Sequence, residues 1–285
     1  MPHRLRLFLM LAPALGVIGL LFGGGLIVAL MRSFNYMPVI GLTDPNLQAY
    51  ARVLTNPDFL LSFLLTFHIA FTSTLIAAII AIAAALLIRA TTTGRTLITF
   101  LFQLNLTIPH IVGAIGILYL FSQSGTFARL AHATHLIARP ADFPALVFDP
   151  AAIGIILHYV WKEVPFIGIV ILAQMQTIGT DHEATARSLG ATPWQAFRHA
   201  LLPLLLPGIT AASIIAFAFA FGAYEIPALL GASYPQALPV LAYRSFTDVD
   251  LASRPDAMAM AIIITCLSAA LIWAYSRALH AMVRA

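Results

Sequence analysis

What most constrains this chain is where charge is missing. No charged side chain lies between Arg6 and Arg32, between Asp58 and Arg89, or between Arg95 and Arg129. A fourth gap begins after Asp149 and ends near Thr180, interrupted only by Lys162 and Glu163. The fifth lies between Arg198 and Glu225, the sixth between Asp256 and Arg277. Crossing about 30 Å of hydrocarbon takes roughly 20 apolar helical residues, and each gap supplies them. The runs do not alternate between polar and apolar, which argues against barrel strands. Only 9% of the residues are charged and 61% are hydrophobic, whereas a soluble domain carries about 25% charged residues. There is too little charge to cover a globular surface in water. The expected fold class is an all-α membrane protein with six transmembrane helices.

The first gap follows Arg4 and Arg6 and has the look of a secretory signal. Its uncharged stretch exceeds the roughly 7–15 residues of such a signal's apolar centre, so an uncleaved first helix is expected. Six helices put both termini on one side, and the basic residues choose which. With the N-terminus inside, the inner segments hold Arg4, Arg6, Arg89, Arg95, Arg187, Arg198, Arg277 and Arg284. The outer segments then hold Arg32, Arg52, Arg129, Arg139, Arg244 and Arg254. Eight against six favours cytoplasmic termini.

Several functions are excluded. The formal net charge of +4 comes without a basic stripe, so no nucleic-acid partner is expected. The only lysine, Lys162, stands between Trp161 and Glu163, so the chain has no Gly-Lys-Ser/Thr phosphate loop. No His-Glu-x-x-His motif occurs and no pair of aspartates falls within the spans, which argues against an intramembrane enzyme. His132 and His135 have no further ligand at a convincing spacing, so no metal site is expected. The single cysteine, Cys266, cannot form a disulfide within the chain.

The longest polar interruption in the second half is DHEATARSLGATPWQAFRHALLPLLLPG, from Asp181 to Gly208. DHEATARSL is read as a short helix with Asp181 at its positive end. Gly190 breaks it, and TPWQAFRHALL starts a second helix with Thr192 as N-cap and Pro193 in the first turn. Pro203 and Pro207 mark the bend into the fifth span. Ala184, Ala186, Ser188, Gly190 and Ala191 are small and would let another surface approach closely. Trp194 and Phe197 stand three apart on one face as apolar anchors.

This stretch resembles the cytoplasmic signature loop of binding-protein-dependent ABC transporter permeases, the type I importers with the methionine-importer-like fold. The family pattern is Glu-Ala-Ala, three residues, Gly, nine residues, Ile, one residue, Leu-Pro. Gly190, Leu202 and Pro203 fit it. Ala184, Thr185 and Ala186 occupy the Glu-Ala-Ala positions, so the usual glutamate is absent and Glu183 stands one position early. Ala200 stands where Ile is usual. VWKEVPF, Val160 to Phe166, resembles the family's fourth-helix motif, and AQMQTIGTD resembles the link into the loop. IPHIVGAIGILYLF and GTFARL resemble the subgroup of polyamine, thiamine, ferric-iron and phosphonate importers.

The resemblance covers nearly the whole chain and implies a single permease domain, 1–285. Its coupling helix-turn-helix, about 179–203, would lie in the cytoplasm between helices 4 and 5. It implies ATPase coupling through Glu183, Ala184, Thr185, Ala186, Arg187, Gly190, Ala191, Trp194, Phe197, Leu202 and Pro203. The implied partners are two ATP-binding subunits, a second permease, identical or homologous, and a periplasmic or lipid-anchored substrate-binding protein. ATP and Mg would be bound by the ATPases, leaving this chain without a cofactor. The implied setting is a prokaryotic inner membrane, and the subgroup suggests a polyamine-like solute. The rival reading is a standalone ion-coupled secondary transporter, since charge inside a span suits ion coupling.

Four polar residues are candidates for the solute pathway. Lys162 and Glu163 lie inside the fourth span, where each costs on the order of 2.5–3.5 kcal/mol on insertion scales. As helix neighbours they point about 100° apart and do not pair well. They either face the pathway or serve packing. His110, after Pro109, is read as lying deep in the third span. Glu225 follows the fifth span and either lines the outer mouth or marks the interface. Gly23, Gly24 and Gly25 in the first span suggest close helix contact or flexibility.

Overall fold

The computed structural model describes residues 3–284, with side chains from Phe8 to Ala274 and at Arg277. The side chains of Arg4, Arg6 and Arg284, used above to orient the chain, lie outside the described residues. The helices in chain order are α1 (His3–Ile18), α2 (Gly24–Ser33), α3 (Gln48–Thr55), α4 (Pro57–Ala90) and α5 (Arg95–Leu104). Next come α6 (His110–Phe121), α7 (Thr126–Ala133), α8 (Ile153–Ile178), α9 (Asp181–Ser188) and α10 (Pro193–Ala196). The last are α11 (Leu202–Gly222), α12 (Glu225–Leu230), α13 (Leu238–Thr247) and α14 (Arg254–Arg284). Among the described residues, 6 helical stretches are long and apolar enough to cross a membrane. They are Phe8–Ser33, Pro57–Ala90, His110–Ala133, Ile153–Ile178, Pro193–Gly222 and Leu251–Ala274.

Two expectations need correcting. The sequence predicts the third span as one run between Arg95 and Arg129. It is interrupted: α5 ends in a 3-10 turn at Asn105–Thr107, Ile108 is extended, and α6 begins only at His110. The cause is Pro109, which lacks an N–H and pushes the residue before it out of helical geometry. His110 therefore opens a helix and does not sit deep within one. The first span does contain a distortion, the π-turn Gly19–Gly23. However, a Cβ added at Gly23, Gly24 or Gly25 would meet nothing within 4 Å, so no close helix contact forms there among the described residues.

The described residues form two compact units. One comprises the residues up to Leu61 with Leu238–Leu267. Within it Ala49, Val53, Leu238 and Met260 are buried. Arg52 donates to both carboxylate oxygens of Asp256, through Nη2 at 2.6 Å and Nε at 3.0 and 3.1 Å. The hydrogen bond that the Asp256 carboxylate accepts raises the Arg52 pKa above its ordinary value.

The other unit comprises Ser62–Ala237 and the residues from Ser268 on. Its core joins α4, α8 and α11. Ala77, Ala81 and Ala85 recur every fourth residue on α4 and are each 0% exposed, so one small-residue stripe faces inward. Against it pack Ile167, Ile171 and Met175 of α8, then Leu205, Ile209 and Ala212 of α11. Gly168 is required here, since a Cβ would stand 2.6 Å from the Phe102 ring. This unit holds every candidate site residue.

Candidate functional site

The polar loop folds from local signals. α8 ends at Gly179, which takes the left-handed φ of 74°. α9 follows after Thr180 with Asp181 and Glu183 in its first turn, where the helix dipole favours negative charge. Its far end is a Schellman closure. Ala191 N–H donates to Ala186 O at 3.1 Å and Gly190 N–H to Arg187 O at 3.0 Å. Gly190 makes this possible at φ 91°, where a side chain would be strained.

The next helix opens on a reciprocal cap. Thr192 Oγ1 accepts from Gln195 N–H at 3.3 Å, and Gln195 Oε1 accepts from Thr192 N–H at 2.8 Å. Pro193 sits at the first position, where its missing N–H costs nothing. A π-turn, Phe197–Leu201, then carries the chain into α11. Ala196 and Leu201 are buried and fix the inner side of the loop. The outer side carries Leu189, 85% exposed, and Trp194, 64% exposed, the latter 5.5 Å from the Phe197 ring.

Of the eleven residues assigned to coupling, Ala184, Thr185, Arg187, Gly190, Trp194 and Pro203 are exposed. Glu183, Ala186, Ala191, Phe197 and Leu202 are half-buried. Glu183 is bound within the chain: Arg89 at the end of α4 donates to its carboxylate.

The second polar region is a layer within the membrane-spanning helices. Lys162 is 4% and Glu163 5% exposed, and they point to different partners. Two prolines explain where the lysine goes. Pro165 has no N–H for the carbonyl of Trp161, four residues earlier, and Pro109 has none for that of Asn105. The Asn105 side-chain amide donates to the Trp161 carbonyl. Lys162 Nζ donates to the carbonyls of Asn105 at 2.8 Å and Ile108 at 2.6 Å. Each helix thus supplies the donor that the other's proline withholds. The spacing Trp161–Lys162–x–x–Pro165 is the local form of this exchange.

Glu163 lies in the electrostatic range of Ser73 and Thr74 on α4, and both of its carboxyl oxygens are buried without a hydrogen bond of normal geometry. It lines a cavity of 210 Å³ with His110, Lys162, Phe166 and Phe219. The rings of His110 and His158 are 5.6 Å apart, and His158 is fully buried. Glu225 opens α12, is exposed, and reaches His110 and Tyr159 electrostatically. The structure therefore gathers Lys162, Glu163 and His110 around one cavity, with Glu225 at longer range. Sequence reasoning missed Asn105, His158 and the pair Ser73–Thr74. Asn105 could have been found from its place four residues before Pro109. The others carried no local signal.

Residues 77–284 match the family described as "Binding-protein-dependent transport system inner membrane component". The molybdenum transport system permease protein ModB of Mycobacterium tuberculosis is 30% identical over 174 residues. That match covers 60% of this chain and spans 62% of the relative's length. The sulfate transport system permease protein CysT of Escherichia coli is 25% identical over 236 residues, 82% of each chain. Among solved structures, a bacterial ABC transporter involved in the import of the acidic polysaccharide alginate superposes with a TM-score of 0.80 at 19% identity. It covers 96% of this chain and 95% of its own. The MetNI methionine transporter superposes at 0.58 over 78% of this chain and 94% of its own. These structures share the fold. With its loop, its six spans and the match over residues 77–284, the chain belongs to the family of binding-protein-dependent transport system inner membrane components.

Proposed function

We propose that the chain is the permease subunit of an ABC importer and forms half of a path by which a small solute enters the cell. It is a transporter subunit without catalysis of its own. A second permease completes the path, an external binding protein delivers the solute, and two ATPase subunits bind ATP and Mg and drive the cycle. The reading rests on one observation above all. Inside the matched region, a polar helix-turn-helix leads from the fourth span into the fifth and carries Leu189 and Trp194 outward. A solvated connector has no need of an exposed tryptophan, whereas aromatic anchors are what an interface uses. With both termini in the cytoplasm, as the basic residues argue, this loop faces the ATPases.

For the solute we propose a tetrahedral oxyanion, in place of the polyamine-like cargo expected from subgroup resemblance. The support is that the relatives above are named for molybdenum and sulfate. The first test is a detergent pull-down of the chain expressed with its neighbouring genes, weighed intact by native mass spectrometry. A complex of two permeases and two ATPases is expected, and its mass tells identical from different permeases. Vesicles holding that complex should then take up labelled molybdate or sulfate in preference to spermidine. If no ATPase accompanies the chain, and the purified chain alone moves solute down an ion gradient, it is a secondary transporter.

A further inference from the structure

In the sequence Arg89 is only a charge at a helix end. We propose that it is the positioning residue of the loop, a clamp through which α9 and the long helix α4 move together. This rests on the function proposed above, in which the ATPases act on α9.

One guanidinium joins three elements. Arg89 belongs to the last turn of α4. Its Nη2 donates to the carbonyl of Gly179 at the end of α8, at 3.4 Å, and to the carboxylate of Glu183 in the first turn of α9. Both side chains of the pair are 18% exposed, so neither is free to wander in bulk solvent. Among the described residues this is the one ion pair that holds α9.

α9 needs such a hold. It is a helix of eight residues set between two glycine joints, Gly179 at φ 74° and Gly190 at φ 91°. Without the clamp it would lean on α10 and the Phe197–Leu201 turn, and so pass a displacement toward α11. With the clamp the displacement also reaches α4. That helix can transmit it, because Ala77, Ala81 and Ala85 are each 0% exposed and seat it against the core.

The clamp also has a way to open. Arg89, Glu183 and Arg187 line one cleft of about 400 Å³. Arg187 is one turn beyond Glu183 on α9, the spacing at which a helical ion pair forms. When α9 tilts away from Arg89, the Glu183 carboxylate can pass to Arg187 and is not left unpaired. The residue that stands one position early in the signature loop thereby has a role of its own. It ties the loop to its own permease.

The test uses the full chain with its co-expressed subunits. Hydrogen–deuterium exchange is measured on Arg89→Ala, on Glu183→Gln, and on the exchanged pair Arg89→Glu with Glu183→Arg. Amides of residues 181–189 are expected to exchange at least tenfold faster in each single variant and near the wild-type rate in the exchanged pair. In vesicles, solute moved per ATP consumed is expected to fall at least fivefold in Arg89→Ala and to recover in the exchanged pair. Unchanged exchange in both single variants would overturn the clamp, and Glu183→Gln is close enough in shape to fold even if Arg89→Ala does not. Faster exchange with an unchanged ratio of solute to ATP would overturn the transmitting role. A wild-type chain that binds no ATPase would sink the function and the transmission together, while the exchange data would still decide the clamp.

Discussion

The two polar regions of the larger unit handle charge in opposite ways. In the loop, charge meets charge: Arg89 and Glu183 pair, and both keep some exposure. In the intramembrane layer, Lys162 and Glu163 are adjacent in sequence and nearly fully buried, yet they do not pair. The ammonium is spent on backbone carbonyls at a helix break, and the carboxyl group turns toward hydroxyls on another helix. Where some exposure remains, a paired charge is a fastening of modest strength. Where water is excluded, the lysine holds its place because it answers backbone carbonyls at a helix break. The first region keeps its pair at a partly exposed joint, and the second buries its polar groups among the helices.

The largest expected effect tests the second half of that contrast. Lys162→Met keeps the volume and removes the donor. The Ile108 and Asn105 carbonyls then lose it, although Asn105 O still accepts from Ile108 N–H at 3.2 Å. An unsatisfied buried group costs about 1–3 kcal/mol, and a loss of that size is expected. Urea unfolding of the detergent-solubilised chain reads it as a shift in midpoint with the slope unchanged. A variant as stable as the wild type would show that the layer does not depend on this exchange of donors. Lys162 would then be free to serve the pathway.

The same contrast explains what was legible in the sequence. The loop could be read residue by residue, because a glycine at a left-handed position, a threonine cap and a proline in the first turn act within a few residues of themselves. Gly190, Thr192 and Pro193 do in the structure what their spacing predicts. The spans were legible because their signal is summed over many residues. The third span was misread where one proline outweighed a continuous apolar run. The layer was legible only as an anomaly. Lys162 and Glu163 stand out in the sequence, but their partners lie on other helices, 57 residues away in the case of Asn105. Only packing brings them together. Arg89 was hidden for the same reason, since its partner Glu183 is 94 residues distant.

A smaller effect is expected in the loop. Thr192→Ala removes the hydroxyl that accepts from Gln195 N–H and so opens the reciprocal cap. Losing such a cap costs about 1 kcal/mol. The cost is local, so amides of residues 193–197 should exchange about fivefold faster with little change in global unfolding. A global loss as large as that of Lys162→Met would mean that the loop is part of the rigid core, and the two regions would no longer differ in kind.

The smallest effect on stability is expected at Trp194, and it separates the loop's own needs from what it offers a partner. The side chain is 64% exposed, and its ring stands 5.5 Å from that of Phe197. Substitutions of exposed side chains that make no cap hydrogen bond and join no buried network usually change stability by less than about 0.5 kcal/mol. Trp194→Ala should therefore leave the unfolding midpoint of the isolated chain almost where it was. An aromatic anchor at the centre of an interface, by contrast, costs about 2 kcal/mol or more of binding when truncated. The same variant should therefore weaken retention of the ATPases at least tenfold in the pull-down. Stability kept and assembly lost would mean that the tryptophan is placed for the partner, which nothing inside the chain requires. If both were kept, the contact would lie elsewhere on the loop, with Leu189 the next exposed side chain to test. Loss of stability alone would show that the Trp194–Phe197 pair seats α10 on its own chain, and the outward face would then have to be read as structure.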